Sequence, residues 1–249
     1  MAAFYRREVL IMSYLSLRKT IGYIAISIPF LLVVGSVLVG NCPEIQSSIS
    51  DYYHTQMRDV LVGTLCAIAL FLFCYTGYDR YDVSATRLAA IFALGVALFP
   101  TGFNDSMIDS CHAVRQVSNP IVARIHLISA FCLFVTLSII SLFLFTKSDR
   151  PKWQWGPNKK RRNRVYRRSA YVMLTCLALL VGYFSLKGGS LQPYIEGTFV
   201  EYFGSPEWLA LMDKIDIIFW LETVMLFAFG ISWLTKGKIF FKDRRVQIY

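Results

Sequence analysis

The sequence predicts an all-α fold: a polytopic bundle of six transmembrane helices with interfacial helices beside them. Three observations carry that prediction. Hydrophobic residues fill 55% of the 249 positions and charged residues only 17%. Mean hydropathy is +0.48, which lies outside the range of soluble domains. The apolar residues come in blocks of about 20, the length that crosses hydrocarbon as a helix. Such blocks recur along nearly the whole chain, so residues 1–249 read as a single integral membrane domain with no separate soluble unit.

Taken in order, residues 4–17 mix Arg6 and Arg7 with aromatic and aliphatic residues and read as an interfacial amphipathic helix. The first span follows at about 20–40, too long for a signal-peptide core and without a small-residue cleavage pattern, and Pro29 is expected to kink it. A polar stretch leads to the second span at 59–76. The link carrying Arg80 and Arg87 returns the chain into the third, 87–103, which ends at Phe99-Pro100-Thr101. A polar loop holds Asp105, Asp109, Cys111, His112 and Arg115. Pro120 precedes the fourth span, 121–146. The strongly basic segment 147–168 contains Trp153 and Trp155, residues suited to a membrane interface. The fifth span covers 169–186. Ser205-Pro206-Glu207 has the form of a helix start, with a hydroxyl N-cap, proline at the first helical position and an acid in the first turn. That helix is expected to run on into the sixth span, about 215–235.

Charge sets the expected orientation. If the termini, the 77–87 link and the 147–168 segment share one side, 21 of the 26 lysines and arginines lie there. Ten of the 16 acids lie on the other side. The positive-inside rule then places both termini in the cytoplasm. The 147–168 run reads as an anchor touching anionic headgroups. Nucleic acid is not an expected partner, because no fold around the run would present it.

The most informative stretch is SSISDYYHTQMRDVLVG, residues 47–63, where polar side chains abut pure hydrocarbon. Read as a helix, Ser50, His54 and Arg58 fall at i, i+4 and i+8, with Asp51 and Thr55 beside them. Unpaired polar groups at such a depth are costly, so partners are required. All three histidines, His54, His112 and His126, fall on the outer side under this topology, with Asp51, Asp59, Asp105, Asp109 and Asp216. Three neutral imidazoles with an open position suit a catalytic zinc, with Asp51 or Asp105 assisting a bound water. The plainer role for the same groups is to hydrogen-bond the outer loops together. No H-E-x-x-H or His-x-x-x-His spacing is present.

Glu222 lies about two turns inside the sixth span, where a carboxylate is expensive and functional roles concentrate. Proton coupling in a small transporter is its sharp reading, and pairing with a neighbour at similar depth is its plain one. Lys187 and Lys214 read as helix-end anchors. Of the six cysteines, Cys66, Cys74, Cys132 and Cys176 fall in spans as packing residues. Cys42 and Cys111 fall in outer loops, where an oxidising compartment permits a disulfide.

Several phrases also carry a resemblance. SISDYYHTQMRDVLVGTLCAIALFLFCYTGYD, GVALFP, IHLISA, RRNRVYR and LETVMLFAFGISWLTKG resemble bacterial six-span inner-membrane proteins of the DUF998-type and Frag1/DRAM/Sfk1-like groups. The resemblance implies a helical bundle in a bacterial inner membrane and carries no activity with it. Ser50 and His54, with Asp105 at the end of span three, are also similar to part of the zinc site of the alkaline ceramidase and adiponectin-receptor-like superfamily. The third element of that site, a His-x-x-x-His on the last span, is missing here, and that superfamily has seven spans.

Three function classes follow from the sequence. The first is a membrane protein that binds lipid or a protein partner without catalysis. The second is a zinc-dependent hydrolase of lipid esters or amides at the outer leaflet, with His54, His112 and His126 as ligands and Ser50, Asp51, Asp105 and Arg58 around them. The third is a small proton-coupled transporter using Glu222.

Overall fold

A computed structural model describes residues 2–77, 79–102, 119–148, 151–188 and 199–241, with the side chains of 2–13 left aside. The described residues are helical, with no strand among them. Helices α1 (Ala2–Leu38), α2 (Arg58–Phe73), α3 (Arg80–Leu98), α4 (Pro120–Ile139, prolonged by a π segment at Ile140–Leu144) and α5 (Pro157–Lys187) are followed by α6 (Pro206–Lys214) and α7 (Ile217–Lys236). Short 3₁₀ segments occupy Ser50–His54, Lys152–Gln154 and Phe199–Gly204. Each long helix packs on its neighbours in chain order, and α7 closes the ring against α1.

Five of these helices are long and apolar enough to cross a membrane: Tyr14–Leu38, Arg80–Leu98, Pro120–Leu144, Pro157–Lys187 and Ile217–Lys236. The chain is therefore a multi-pass membrane protein. The expected second span, α2, is not among them and has 16 residues. At 1.5 Å per residue that is about 24 Å, short of a ~30 Å hydrocarbon layer.

Three sequence expectations need correction. Residues 4–17 do not form a separate interfacial helix, because α1 runs unbroken from Ala2 to Leu38 and continues through Pro29. Nothing between Leu17 and Ile21 stops a helix. The fifth helix begins at Pro157, twelve residues before the expected 169, because the basic run contains no breaker once Pro157 has started it. The last approach does not flow into the sixth span. Asp216 adopts left-handed backbone angles (φ 52°), which Asp tolerates better than most residues, and it separates α6 from α7.

Close packing uses small residues. Ala89, Ala90, Ala93 and Ala97 form a buried stripe along α3, which lets α2 and α4 approach. Helices α1 and α7 cross at Gly22 and Gly230, where a Cβ on either residue would stand 2.8 Å from the other's carbonyl oxygen. Below that crossing, the fully buried Trp233 packs edge-on against Phe145 and Tyr75. Three side chains cap helix starts: Asp79, Asn119 and Ser205, the last as the sequence predicts, accept from the backbone N–H groups of Asp82, Ile121 and Trp208.

The basic segments meet at one end. Lys147 Nζ bridges Asp79 (2.8 Å) and Asp82 (2.6 Å), tying the 77–87 link to the 147–168 segment. Arg162 donates to the Phe241 carbonyl at 2.6 Å, and Lys236 lies over the Phe145 ring. The polar stretch around Ser50 sits at the other end.

Gly230→Leu is expected to lower the melting temperature of the detergent-solubilised protein, at a cost of about 1–3 kcal/mol for forced overpacking. Gly182→Leu, where an added Cβ meets nothing within 4 Å, is the control and is not expected to lower it. Equal melting of the two variants would contradict the close α1–α7 crossing.

Candidate functional site

The stretch 47–57 is not one helix. Ser50–His54 forms a 3₁₀ helix, Thr55 is extended, and α2 starts only at Arg58. Local hydroxyls explain the departure. Ser48 Oγ accepts from the Asp51 N–H (3.0 Å), and Thr55 Oγ1 donates to the Tyr52 carbonyl (2.9 Å) and accepts from Met57 N–H (3.1 Å). Such bonds offer the backbone an alternative to the α-helical ladder. The expected stripe is thereby split, and its members serve different places. Ser50 turns toward α4 and His54 toward the end of α3. Arg58 pairs with Asp59 at 3.2 Å and lies over the Tyr53 ring, away from both.

The segment is held from across the chain. Glu222, on α7, accepts the Ile49 N–H at 2.6 Å and also the Ser50 N–H. In return, the Ser47 carbonyl accepts the Phe219 N–H at 3.0 Å. Each element thus satisfies donors that the start of the other leaves open.

The two described histidines close the end of α3. Phe99 is extended, as a residue before proline prefers, and exposes its carbonyl. His126 Nδ1 donates to that carbonyl at 2.6 Å. A neutral ring with its proton on Nδ1 presents a lone pair at Nε2, and Ser50 Oγ lies 3.1 Å from it. His54 Nε2 donates to the Thr101 carbonyl at 3.1 Å.

Asp51 is buried beside these groups. Burial raises its carboxyl from 3.8 to about 6, against the lowering effects of the Ser48 hydroxyl and His54. On α6, burial pushes Asp213 upward, but Lys187 and the Tyr183 hydroxyl bind it and hold it below the usual carboxylate value. Lys187 contacts both Asp213 oxygens, at 2.7 and 2.8 Å. This pair was not legible as a site in the sequence, where Lys187 reads as an anchor. The only signal was an acid within the amphipathic run WLALMDK, one turn before the last span.

These residues border a cavity of about 780 Å³ between α4, α5 and α7. Its polar end contains Ser47, Ser48, Ser50, Asp51, Thr101, His126 and Glu222, with Lys187 and Asp213 on its wall. Phe131, Phe134, Leu177, Leu180, Ile218 and Met225 supply apolar lining. Leu127, Ile128, Phe131, Val181 and Phe184 line it too and are exposed, so it opens on the flank of the bundle. His54, Arg58 and Asp59 do not line it.

The expected zinc set is not assembled from described residues. No group of three His, Cys, Asp or Glu side chains among them is placed to hold a metal. Both His126 ring nitrogens are engaged, so ligation would require release of Ser50 or Phe99. His112, Asp105 and Asp109 lie outside the described residues. So does Cys111, while Cys42 is in a disulfide and Cys66, Cys74, Cys132 and Cys176 are free. No protein family, curated protein or solved structure matches the chain.

Two predictions follow from this geometry. Glu222→Ala strands the Ile49 N–H and is expected to cost about 1–3 kcal/mol of stability. Glu222→Gln keeps an acceptor and is expected to cost less. Thermal melts that rank the two the other way would remove the capping role. For Asp51 the sign is fixed by its raised value. The protonated acid favours the fold, so the advantage is complete below 3.8 and is lost as pH rises through about 6. Asp51→Asn is expected to melt with the wild type near pH 4 and above it at pH 8, by on the order of 3 kcal/mol. A gap that does not change with pH would refute this.

Proposed function

We propose that this protein binds an amphiphile, a membrane lipid or a molecule like one, in the cavity between α4, α5 and α7. The carrying observation is the cavity's division into apolar walls and one polar end, opening on the side of a membrane-embedded bundle. Its volume is within the range of small-molecule sites. A ligand entering from the bilayer keeps its chain against Phe131, Leu180 and Met225, and its head meets Ser50, Asp51, His126 and Glu222. The asymmetry of lysine and arginine supports both termini in the cytoplasm and this polar end at the outer leaflet. The family resemblance carried by the 48–79 phrase implies a bacterial inner membrane as the setting.

A second reading, proton-coupled transport, draws on Glu222 lining the cavity. It ranks lower because the same carboxylate is committed to backbone N–H groups of the 3₁₀ helix. Zinc-dependent hydrolysis depends on His112 and Asp105 joining His54 and His126, and the described geometry offers it no support.

Lipid extraction and mass spectrometry of protein purified in mild detergent tests the binding reading. The wild type is expected to retain an amphiphile near stoichiometry. Ala130→Trp, which fills the cavity from α4, is expected to retain roughly tenfold less, equivalent to a loss of about 1.4 kcal/mol. Equal retention by a folded Ala130→Trp variant would overturn the assignment to this cavity.

A further inference from the structure

We propose that Ser50 and His126 form a nucleophile–base dyad for acyl transfer from an ester-linked amphiphile. The proposal rests on the amphiphile-binding reading and names the chemistry of the same cavity. Its geometric core is a chain of two hydrogen bonds with fixed directions. The Phe99 carbonyl can only accept, so the proton between it and His126 belongs to Nδ1 (2.6 Å). Nε2 of the neutral ring is then an acceptor, and Ser50 Oγ, 3.1 Å away, must be the donor. A hydroxyl donating to an imidazole that a third group orients is the arrangement that activates a serine.

Both ends of this chain are anchored by features unrelated to each other. Pro100 ends α3 and keeps Phe99 extended, which aims its carbonyl at the ring. Glu222 holds the Ile49 and Ser50 N–H groups, which fixes the backbone that carries Oγ. Ser50 and His126 both line the cavity, at the end where the apolar walls stop. A carbonyl at the junction of chain and head group would sit at that boundary.

The reaction balances without any co-reactant beyond water or a second alcohol. Oγ attacks the ester carbonyl carbon while its proton passes to His126 Nε2. The tetrahedral adduct collapses, the bond to the leaving alkoxide breaks, and that oxygen takes the proton from Nε2. The acyl group is now on Ser50. Water then gives a proton to Nε2 and attacks the acyl carbon, releasing the carboxylic acid and returning the proton to Oγ. With an alcohol in place of water, the product is a new ester.

The test uses the full chain in mild detergent and a long-chain alkyl fluorophosphonate, read by intact mass and peptide mapping. One adduct is expected, on Ser50. It should be absent in Ser50→Ala and about 10²–10⁴-fold slower to form in His126→Gln, the range for loss of a general base. The wild-type labelling rate should fall at acid pH, where a protonated imidazole cannot accept the serine proton. Bound lipid is measured on the same samples, which shows that each variant retains its cavity. Lipid retained without any Ser50 adduct would overturn the dyad and leave amphiphile binding standing. Labelling at the same rate in His126→Gln would also overturn it, because the serine would then react without its base. A Ser50 adduct that forms as fast in Ala130→Trp as in the wild type would count against the cavity itself.

Discussion

The reciprocal capping between residues 47–50 and the start of α7 is the constraint on which the polar end of the bundle depends. A loop carrying backbone N–H groups cannot lie against hydrocarbon without partners. Glu222 gives its carboxylate to Ile49 and Ser50, and the Ser47 carbonyl takes the Phe219 N–H. The bonds run both ways, so neither element is satisfied alone. The left-handed turn at Asp216 belongs to the same device, because it starts α7 where Phe219 can reach Ser47.

Once the 3₁₀ helix is pinned, its side chains complete the end of α3. Pro100 stops that helix, leaving carbonyls at Phe99 and Thr101 that His126 and His54 bind. The two histidines therefore have structural work whatever else they do. Their surroundings differ. His54 faces the loop beyond α3 and does not border the cavity, whereas His126 does. The role proposed for His126 draws on that access, since its second nitrogen meets a hydroxyl that also lines the cavity.

The sequence made the long helices legible because hydropathy over about 20 residues is a strong local signal. The cap at Ser205 was readable for the same reason, lying next to the helix it starts. The error in the 47–63 stretch came from assuming a period of 3.6. That choice put Ser50, His54 and Arg58 on one face, whereas Ser48 and Thr55 bend the backbone and Arg58 turns away with Asp59. Ser50 and His54 were rightly singled out as polar groups needing partners. The partners themselves lay far off in the chain: Ser50 meets His126 across 76 positions, and Ile49 meets Glu222 across 173. No local pattern encodes such pairings. The Lys187–Asp213 pair was missed because each residue alone is an ordinary helix-end charge.

The two ends of the bundle solve the same electrostatic problem differently. At the basic end, Lys147 spans two aspartates, Lys159 binds the carbonyls of Thr146 and Lys147, and aromatic rings cover Lys236 and Arg18. Trp233 packs edge-on against Phe145 and Tyr75 beneath them. At the other end the carboxyls of Asp51 and Glu222 line open space, and neither forms an ion pair with a described cation. Stability alone would favour filling that space, since buried volume without contacts forfeits dispersion energy. A bundle that packs Ala89, Ala90, Ala93 and Ala97 tightly along α3 while holding α4 off α7 has its cavity where the polar side chains converge. That coincidence of space, hydrocarbon wall and oriented hydrogen bonds is what a ligand site needs and a purely structural end does not.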